Sequence, residues 1–488
     1  MVVVGWVTGC PSTSFDTNLP PSGQFYFPTS MVHVDSPASP EGVLFVANSN
    51  FDKRFAAGSV MAVNLSRVGL PAFGQPVGAG GPLQLPDLKV DDAGIVLISS
   101  FAGEMASLDL GQGRTRLFIP TRSEGMKIHY VDADPIAATG GQPVLHCSTP
   151  QGATPADCAT NAPSLTPKEF ELSETGLPRA PGPFGVAVKA RSCSTGGGCP
   201  LGSCQAGRCM TVNDAGVAEP YADVFVTHIT QADSPLESRM LYRGYLVHLP
   251  SQSPTITAGR FIDIGVGATN RVVIGSRYVF ASGRGLSPSG KLMRLIDPES
   301  FSTDGGTLVY TTGIENSFSA VEARGIALSS DERRIYMATR FPDSLLVASI
   351  DDPKASVPVV QVSRTVSVPS APNEIRVLSR PGRSDLVIIA CTGAQTVVLY
   401  DDDVGNVVAQ VNGVGLSPFD IAVDRRGQGA RLYVSDFDDG RVAVIDIADL
   451  GRPQEARLVA HMGTQQLCLT QGQRNPQLCD AGVPMVSP

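Results

Sequence analysis

The sequence predicts an all-β protein assembled from one repeated hairpin, on three observations. Short runs rich in Val, Ile, Thr, Tyr and Phe recur from end to end, while no long segment keeps apolar residues at helical three-and-four spacing. The 51 glycines and 38 prolines in 488 residues punctuate the chain with turns. The stretch Ala430 to Asp446, ARLYVSDFDDGRVAVID, reads as a hairpin whose pattern returns throughout: Leu432 and Val434, then Val442, Val444 and Ile445, are apolar, and Asp438-Asp439-Gly440 supplies the turn. One hairpin cannot bury its apolar face in water, so a repeated one implies neighbours stacked against it.

Taken in order, the chain opens with MVVVGWVTGC, an apolar run whose ending, Val7-Thr8-Gly9-Cys10, resembles a bacterial lipobox. The resemblance implies a lipoprotein-type signal over residues 1–10, with Cys10 as the lipidated N-terminus of the mature protein. The run has no Lys or Arg before it and is shorter than a usual signal segment. Residues 11–23, rich in Pro and Ser, read as a tether between anchor and folded body.

The hairpin copies follow. They span Val43 to Leu65, Arg116 to Asp134, Ala222 to Leu249, Arg277 to Asp297, Arg333 to Asp351, Asp385 to Asp401 and Ala430 to Asp446. The last five begin 55, 56, 52 and 45 residues apart, close to the period of a four-stranded propeller blade with extended loops. Segments such as Phe184 to Val188, Gly325 to Leu328 and Phe419 to Val423 read as innermost strands, and Gly94 to Ser100, Thr365 to Val368 and Asn406 to Val411 as outermost ones. The expected fold is a seven-bladed β-propeller of four-stranded antiparallel blades over residues 24–463, closed by pairing the two chain ends within one blade. Two stretches, 135–183 and 189–221, read as disulfide-bearing loop insertions, and 464–488 as a C-terminal tail.

Cysteine usage points to an oxidising compartment. Cys147 and Cys158 are 11 apart, as are Cys468 and Cys479, and each pair reads as a local disulfide. Cys193, Cys199, Cys204 and Cys209 crowd into CSTGGGCPLGSCQAGRC, which has no apolar core of its own; two disulfides are expected there, with three pairings open. Zinc is disfavoured, since the quartet lacks paired C-x-x-C knuckles and a nearby His. Cys391, in DLVIIACTG, reads as a buried strand residue without a partner.

The pattern LYVSDFDDG, followed by RVAVIDI and preceded by SPFDIAVD, resembles the YVTN-type repeats of bacterial seven-bladed propellers, a group similar to lactonase-like propellers. The motif specifies a blade and carries no catalytic residue, so the resemblance implies fold more than function.

Candidate sites are few. Arg122, Arg284 and Arg340 each follow the first strand of a hairpin, where three guanidinium groups on one rim could receive a carboxylate or phosphate; ordinary loop charge is the plainer reading. The acids near inner strands are Glu322, Glu374 and Asp420, the metal-ligand set to expect of an axial metal site. The acidic turns Asp401-Asp402-Asp403 and Asp436 to Gly440 suggest Ca2+, but neither matches a complete loop and hairpin geometry already accounts for Asp-Gly. No cofactor is therefore expected. The net charge of −9 and the lack of a basic stripe argue against nucleic acid. No apolar run reaches the roughly 18 residues of a membrane helix. The expectation is an exported lipoprotein, anchored at the outer membrane or periplasmic face, acting as a binding or scaffold protein for an envelope protein or surface ligand. The alternative is a lactonase-like hydrolase with an axial metal.

Overall fold

A computed structural model describes residues 18–123, 126–136, 141–147, 156–159, 182–193, 199, 202–212, 216–231, 242–251, 260–266, 269–283, 291–298, 301, 313–315, 322–466, 469–470 and 473–474. Among the described residues, seven sheets each hold four antiparallel strands paired in the order they occur along the chain. The first holds Pro28–Ser36, Ser39–Asn48, Gly58–Asn64 and Ile95–Ile98; the second Ala106–Gly111, Arg114–Thr121, Lys127–Ala133 and Leu145–Cys147. The third holds Gly182–Ala190, Ala222–Gln231, Tyr242–Pro250 and Arg260–Val266; the fourth Thr269–Ile274, Val279–Gly283, Lys291–Ile296 and Gly313–Glu315. The fifth holds Glu322–Leu328, Arg334–Arg340, Ser344–Ile350 and Val360–Ser367; the sixth Pro372–Arg380, Arg383–Cys391, Thr396–Asp401 and Asn406–Asn412. The seventh holds Pro418–Arg426, Gly429–Asp436, Arg441–Ile447 and Arg457–Met462. The hairpin read from the sequence forms the two middle strands in every case. The architecture is propeller-like.

Strand alternation explains the core. Successive side chains of a strand point to opposite faces, so each sheet feeds two cores. Val43, Phe45 and Ala47 of the first sheet pack against Leu117, Ile119 and Val131 of the second. Leu44 and Val46, on the other face, pack against Tyr433, Val442 and Val444 of the seventh. Between these lie further clusters joining the second and third sheets (Phe118 with Val224), third and fourth (Phe225 with Val279), fourth and fifth (Phe280 with Met337), fifth and sixth (Tyr336 with Val387), and sixth and seventh (Ile388 with Leu432).

Among the described residues, Pro28–Ser36 and Arg457–Met462 lie in different sheets, so the expected antiparallel pairing of the two chain ends within one blade is not seen there. The first and seventh sheets instead meet face to face, helped by Glu41, whose carboxylate lies 2.7 Å from Arg426 and 3.2 Å from the fully buried Arg431. The N-terminal part does add Leu83–Leu85 as a fifth, parallel strand at the outer edge of the seventh sheet. Ala156–Asp157 likewise adds to the first sheet. Both are too short to carry a period-two signal.

The stretch 189–221 holds more order than its composition suggests. Lys189 and Ala190 belong to the inner strand of the third sheet, and beyond them Ser203–Gln205, Arg208–Val212 and Ala218–Pro220 form a separate three-stranded sheet. Disulfides Cys193–Cys204 and Cys199–Cys209 settle the pairing left open by the sequence, and Cys147–Cys158 forms as expected. Glu219, almost wholly buried, lies 3.2 Å from Arg116 of the second sheet and anchors the excursion there. Cys391 is buried and unpaired, and burial pushes its thiol up to about 12. Cys10, Cys468 and Cys479 lie outside the described residues.

At the hairpin turn of the seventh sheet, Asp436 is fully buried beside Asp439, with the Arg441 guanidinium 3.9 Å away opposing its protonation. Burial, then the neighbouring Asp439 charge, pushes its carboxyl from 3.8 up to about 10. The folded protein therefore holds Asp436 protonated where the unfolded chain ionises it, a cost that is absent below about pH 4 and grows toward pH 10. Asp436→Asn should raise stability at pH 7 by on the order of 1–3 kcal/mol in urea unfolding, with the gain vanishing near pH 4.

Candidate functional site

The inner strands begin irregularly. In six of the seven sheets the register between inner strand and its neighbour slips near the start, at Pro28/Ser30, Pro183/Val186, Thr269/Val272, Ala323/Ile326, Pro372/Glu374 and Pro418/Ile421. Such bulges release residues from the ladder and re-aim their side chains. The released set includes Phe184, Gly185, Asn270, Arg271, Arg324, Asn373, Phe419 and Asp420.

Polar bonds tie these starts together from sheet to sheet. Met105 N donates to Ser30 Oγ (2.8 Å), Glu104 N to Phe184 O (2.7 Å) and Thr227 Oγ1 to Asn270 O (2.9 Å). Asn270 Nδ2 donates to Ala323 O (2.8 Å), Arg340 Nε to Pro372 O (3.3 Å) and Asn373 Nδ2 to Phe419 O (2.9 Å). Asp420 Oδ2 then accepts from Ser30 Oγ (2.8 Å) and Met31 N (2.7 Å), which links the seventh sheet to the first. Gly185 is required here: a Cβ would meet Asn270 O at 2.5 Å and Glu104 Oε2 at 2.9 Å.

A chain of ion pairs runs along the same residues. The Arg271 guanidinium contacts Glu104 and lies 2.5 Å from Glu374, and Arg376 contacts Glu374 and lies 2.7 Å from Asp420. Arg271 and Glu374 meet as charges without an aligned hydrogen bond between them. Burial pushes the Arg271 guanidinium down to about 9, with Asp420 opposing and Arg376 reinforcing the shift, so it stays charged at neutral pH. Glu322 pairs with Arg324. The three acids expected of a metal centre are thus each held by an arginine, and among the described residues they do not form a cluster of three ligand groups within metal-coordination range. The clusters that do are Cys193, Cys199 and Cys209, all in disulfides, and His33, Asp35 and Asp424, where Arg426 already holds Asp424. The acidic turn at Asp401 is likewise engaged, accepting from Arg380 at 2.6 and 2.8 Å.

Beside this chain lies a row of phenylalanines. Ring centroids run Phe184 to Phe419 (6.4 Å), Phe419 to Phe437 (5.4 Å), Phe437 to Phe27 (5.1 Å) and to Phe51 (5.6 Å), and Phe51 to Phe101 (5.5 Å). Phe51 keeps 49% of its surface exposed, and Phe184, Phe419, Phe437 and Phe101 are half-buried. Arg122 places its guanidinium 5.5 Å from the Phe184 ring centre, and Arg271 lies 5.7 Å from the same ring. Arg340, already bonded to the next sheet, stands at the corresponding strand end of the fifth sheet. Arg284 lies outside the described residues.

Sequence reasoning missed Glu104, Arg271, Arg376 and the aromatic row. A signal existed in the parallel segments Pro183-Phe184-Gly185-Val186-Ala187-Val188 and Pro418-Phe419-Asp420-Ile421-Ala422-Val423, which place Phe at one position before two inner strands.

No protein family model matches the chain, and no curated protein matches it. Among solved structures the chain is similar to Kuenenia stuttgartiensis hydrazine synthase (TM-score 0.43, 13% identity, covering 91% of this chain and 99% of that one). It is also similar to a protein from Lactobacillus plantarum (0.40, 13%, 80% and 85%) and to apo AztD from Citrobacter koseri (0.34, 11%, 92% and 87%). The propeller-like arrangement stands on this chain's own strand order and inter-sheet cores.

Removing one member of the ion chain should strand its partner. Asp420→Ala is expected to cost about 3–5 kcal/mol in urea unfolding, because Arg376 and the Ser30 and Met31 donors lose their acceptor. Asp420→Asn, which keeps an acceptor oxygen, should cost less than half of that.

Proposed function

We propose that this chain is a closed seven-bladed β-propeller, exported and lipid-anchored through Cys10, that acts as a binding or scaffold protein at the cell envelope. The circuit of cores and polar bonds returning from the seventh sheet to the first supports closure. The three disulfides support an oxidising compartment. YVTN-type repeats agree with the blade pattern ending in Asp436.

The observation that carries the binding reading is the aromatic row at one end of the inner strands, with Phe51 half exposed. Contiguous exposed apolar surface beside polar groups marks interaction sites. Axial acids engaged by arginines leave little for a metal-dependent hydrolase, whereas they suit a rigid ring that presents a surface.

The test uses the full chain with the dye 1-anilinonaphthalene-8-sulfonate as probe. Phe51→Ser and Phe437→Ser should each weaken dye binding by about fivefold or more, at unchanged folding of the seven cores by circular dichroism. Dye binding unaffected by both substitutions overturns the placement of the binding face. Intact-mass analysis of the native protein should find an acylated chain beginning at Cys10 with Cys147, Cys158, Cys193, Cys199, Cys204 and Cys209 oxidised. An unmodified Met1 and free thiols would refute export and anchoring together.

A further inference from the structure

The exposed aromatic rings gather at one end of the sheets. Among the described residues the exposed phenylalanines are Phe51 (49%) and Phe341 (70%), and each lies in the turn between the second and third strands of its sheet. That turn sits where the inner strand begins, because successive antiparallel strands reverse direction. Phe437, in the same turn of the seventh sheet, has its ring centre 5.6 Å from that of Phe51. Arg340, next to Phe341, donates to Pro372 O and Asn373 donates to Phe419 O, so the fifth and seventh sheets present these turns on the same side. The opposite end differs: Asp331, Arg333, Asp351, Asp352, Arg452 and Glu455 stand exposed in its turns.

The chain enters the folded body at the aromatic end. Ala56 N, in the Phe51 turn, donates to Asn18 O at 3.1 Å, and Leu19 keeps 56% of its surface exposed. Cys10 stands eight residues before Asn18. At roughly 3.5 Å per residue, eight residues reach at most about 28 Å. The nine residues of Pro28–Ser36 alone cover about 30 Å along their strand. A lipid on Cys10 therefore keeps the aromatic end near the bilayer, and the tether is too short to pass along a blade and turn the charged end toward it. A single acyl chain binds a membrane only marginally, and apolar side chains entering the boundary between headgroups and acyl chains add to it.

We infer that Leu19, Phe51, Phe341 and Phe437 seat this end of the protein on a phospholipid surface. The inference rests on the anchoring of Cys10 and on the aromatic end being the binding face, and it names the bilayer as the occupant of that face. Apolar burial carries the attraction, so anionic headgroups are not required. Lys53, exposed with its ammonium 5.2 Å from the Phe101 ring centre, stands beside the rings where a lysine can reach headgroup level.

The experiment reads one tryptophan at a time in the full chain, in a Trp6→Phe background that removes the native one. Phe51→Trp, Phe341→Trp and, as a control in an exposed turn of the opposite end, Val404→Trp are each mixed with phosphatidylcholine vesicles with or without brominated acyl chains. Emission of the Phe51→Trp and Phe341→Trp proteins should fall about twofold or more in brominated vesicles and stay so at about 500 mM NaCl, with Val404→Trp unchanged. Leu19→Trp provides a further reporter should Phe51→Trp fail to fold. Flotation with the vesicles but no quenching at the aromatic end overturns the docking, leaves the anchor standing and points to a protein as the occupant of the face. Equal quenching of all variants overturns the orientation, and quenching lost at high salt overturns the apolar contact. A chain that does not float with the vesicles refutes the docking, and the intact-mass experiment then decides separately whether Cys10 is acylated.

Discussion

Five charged groups at the starts of the inner strands, three carboxylates and two guanidinium groups, hold one another by ion pairing, and that pairing constrains how the sheets stand together. Glu104, Arg271, Glu374, Arg376 and Asp420 come from four different sheets or the segments leading into them, and Glu374 and Asp420 are wholly buried. An unpaired charge in such a place costs several kcal/mol. The alternation of two arginines among three carboxylates avoids that cost only if the sheets stand at set distances from one another. Apolar cores between neighbouring sheets supply most of the burial, but they tolerate sliding far better than a salt bridge tolerates a displaced partner.

Bulges make this possible. A regular strand would send alternate side chains into the flanking cores, with no room for an arginine between them. Slipping the register before Val186, Val272, Ile326 and Ile421 releases the preceding residues toward the free edge. The backbone groups freed by the slip are then satisfied by hydroxyls of the second strand: Gly185 N donates to Thr227 Oγ1, Arg271 N to Ser282 Oγ and Asp420 N to Ser435 Oγ. Two of these hydroxyls also donate onward to the next sheet, Thr227 to Asn270 O and Ser282 to Arg324 O, so local repair and inter-sheet attachment use the same atom.

Most of the fold was legible because it is written locally. A period of two, β-branched residues and Asp-Gly or Gly-rich turns located all seven hairpins, including the degenerate copy at Arg277 to Asp297. The candidate site was legible only in part. Glu374 and Asp420 could be placed on inner strands from the pattern, but their partners could not: Arg271 lies about a hundred residues before Glu374 and reads as an ordinary exposed charge at a strand start. The three-stranded sheet after Ala190 was hidden for another reason, since its strands are three to five residues long and held by disulfides in place of an apolar face.

The sequence by itself determined the seven hairpins, the apolar alternation of their strands, and that Cys147 lies close enough to Cys158 to join. These follow from short-range sterics and hydrophobic alternation, which act within about ten residues. Only the tertiary structure decided that Cys193 pairs with Cys204 and Cys199 with Cys209, that Asp420 meets Ser30 across 390 residues, and that Glu374 and Asp420 pair with arginines. The physical reason is that a charge or thiol selects its partner by distance in space, and that distance exists only after the cores between the sheets have brought the inner strands together.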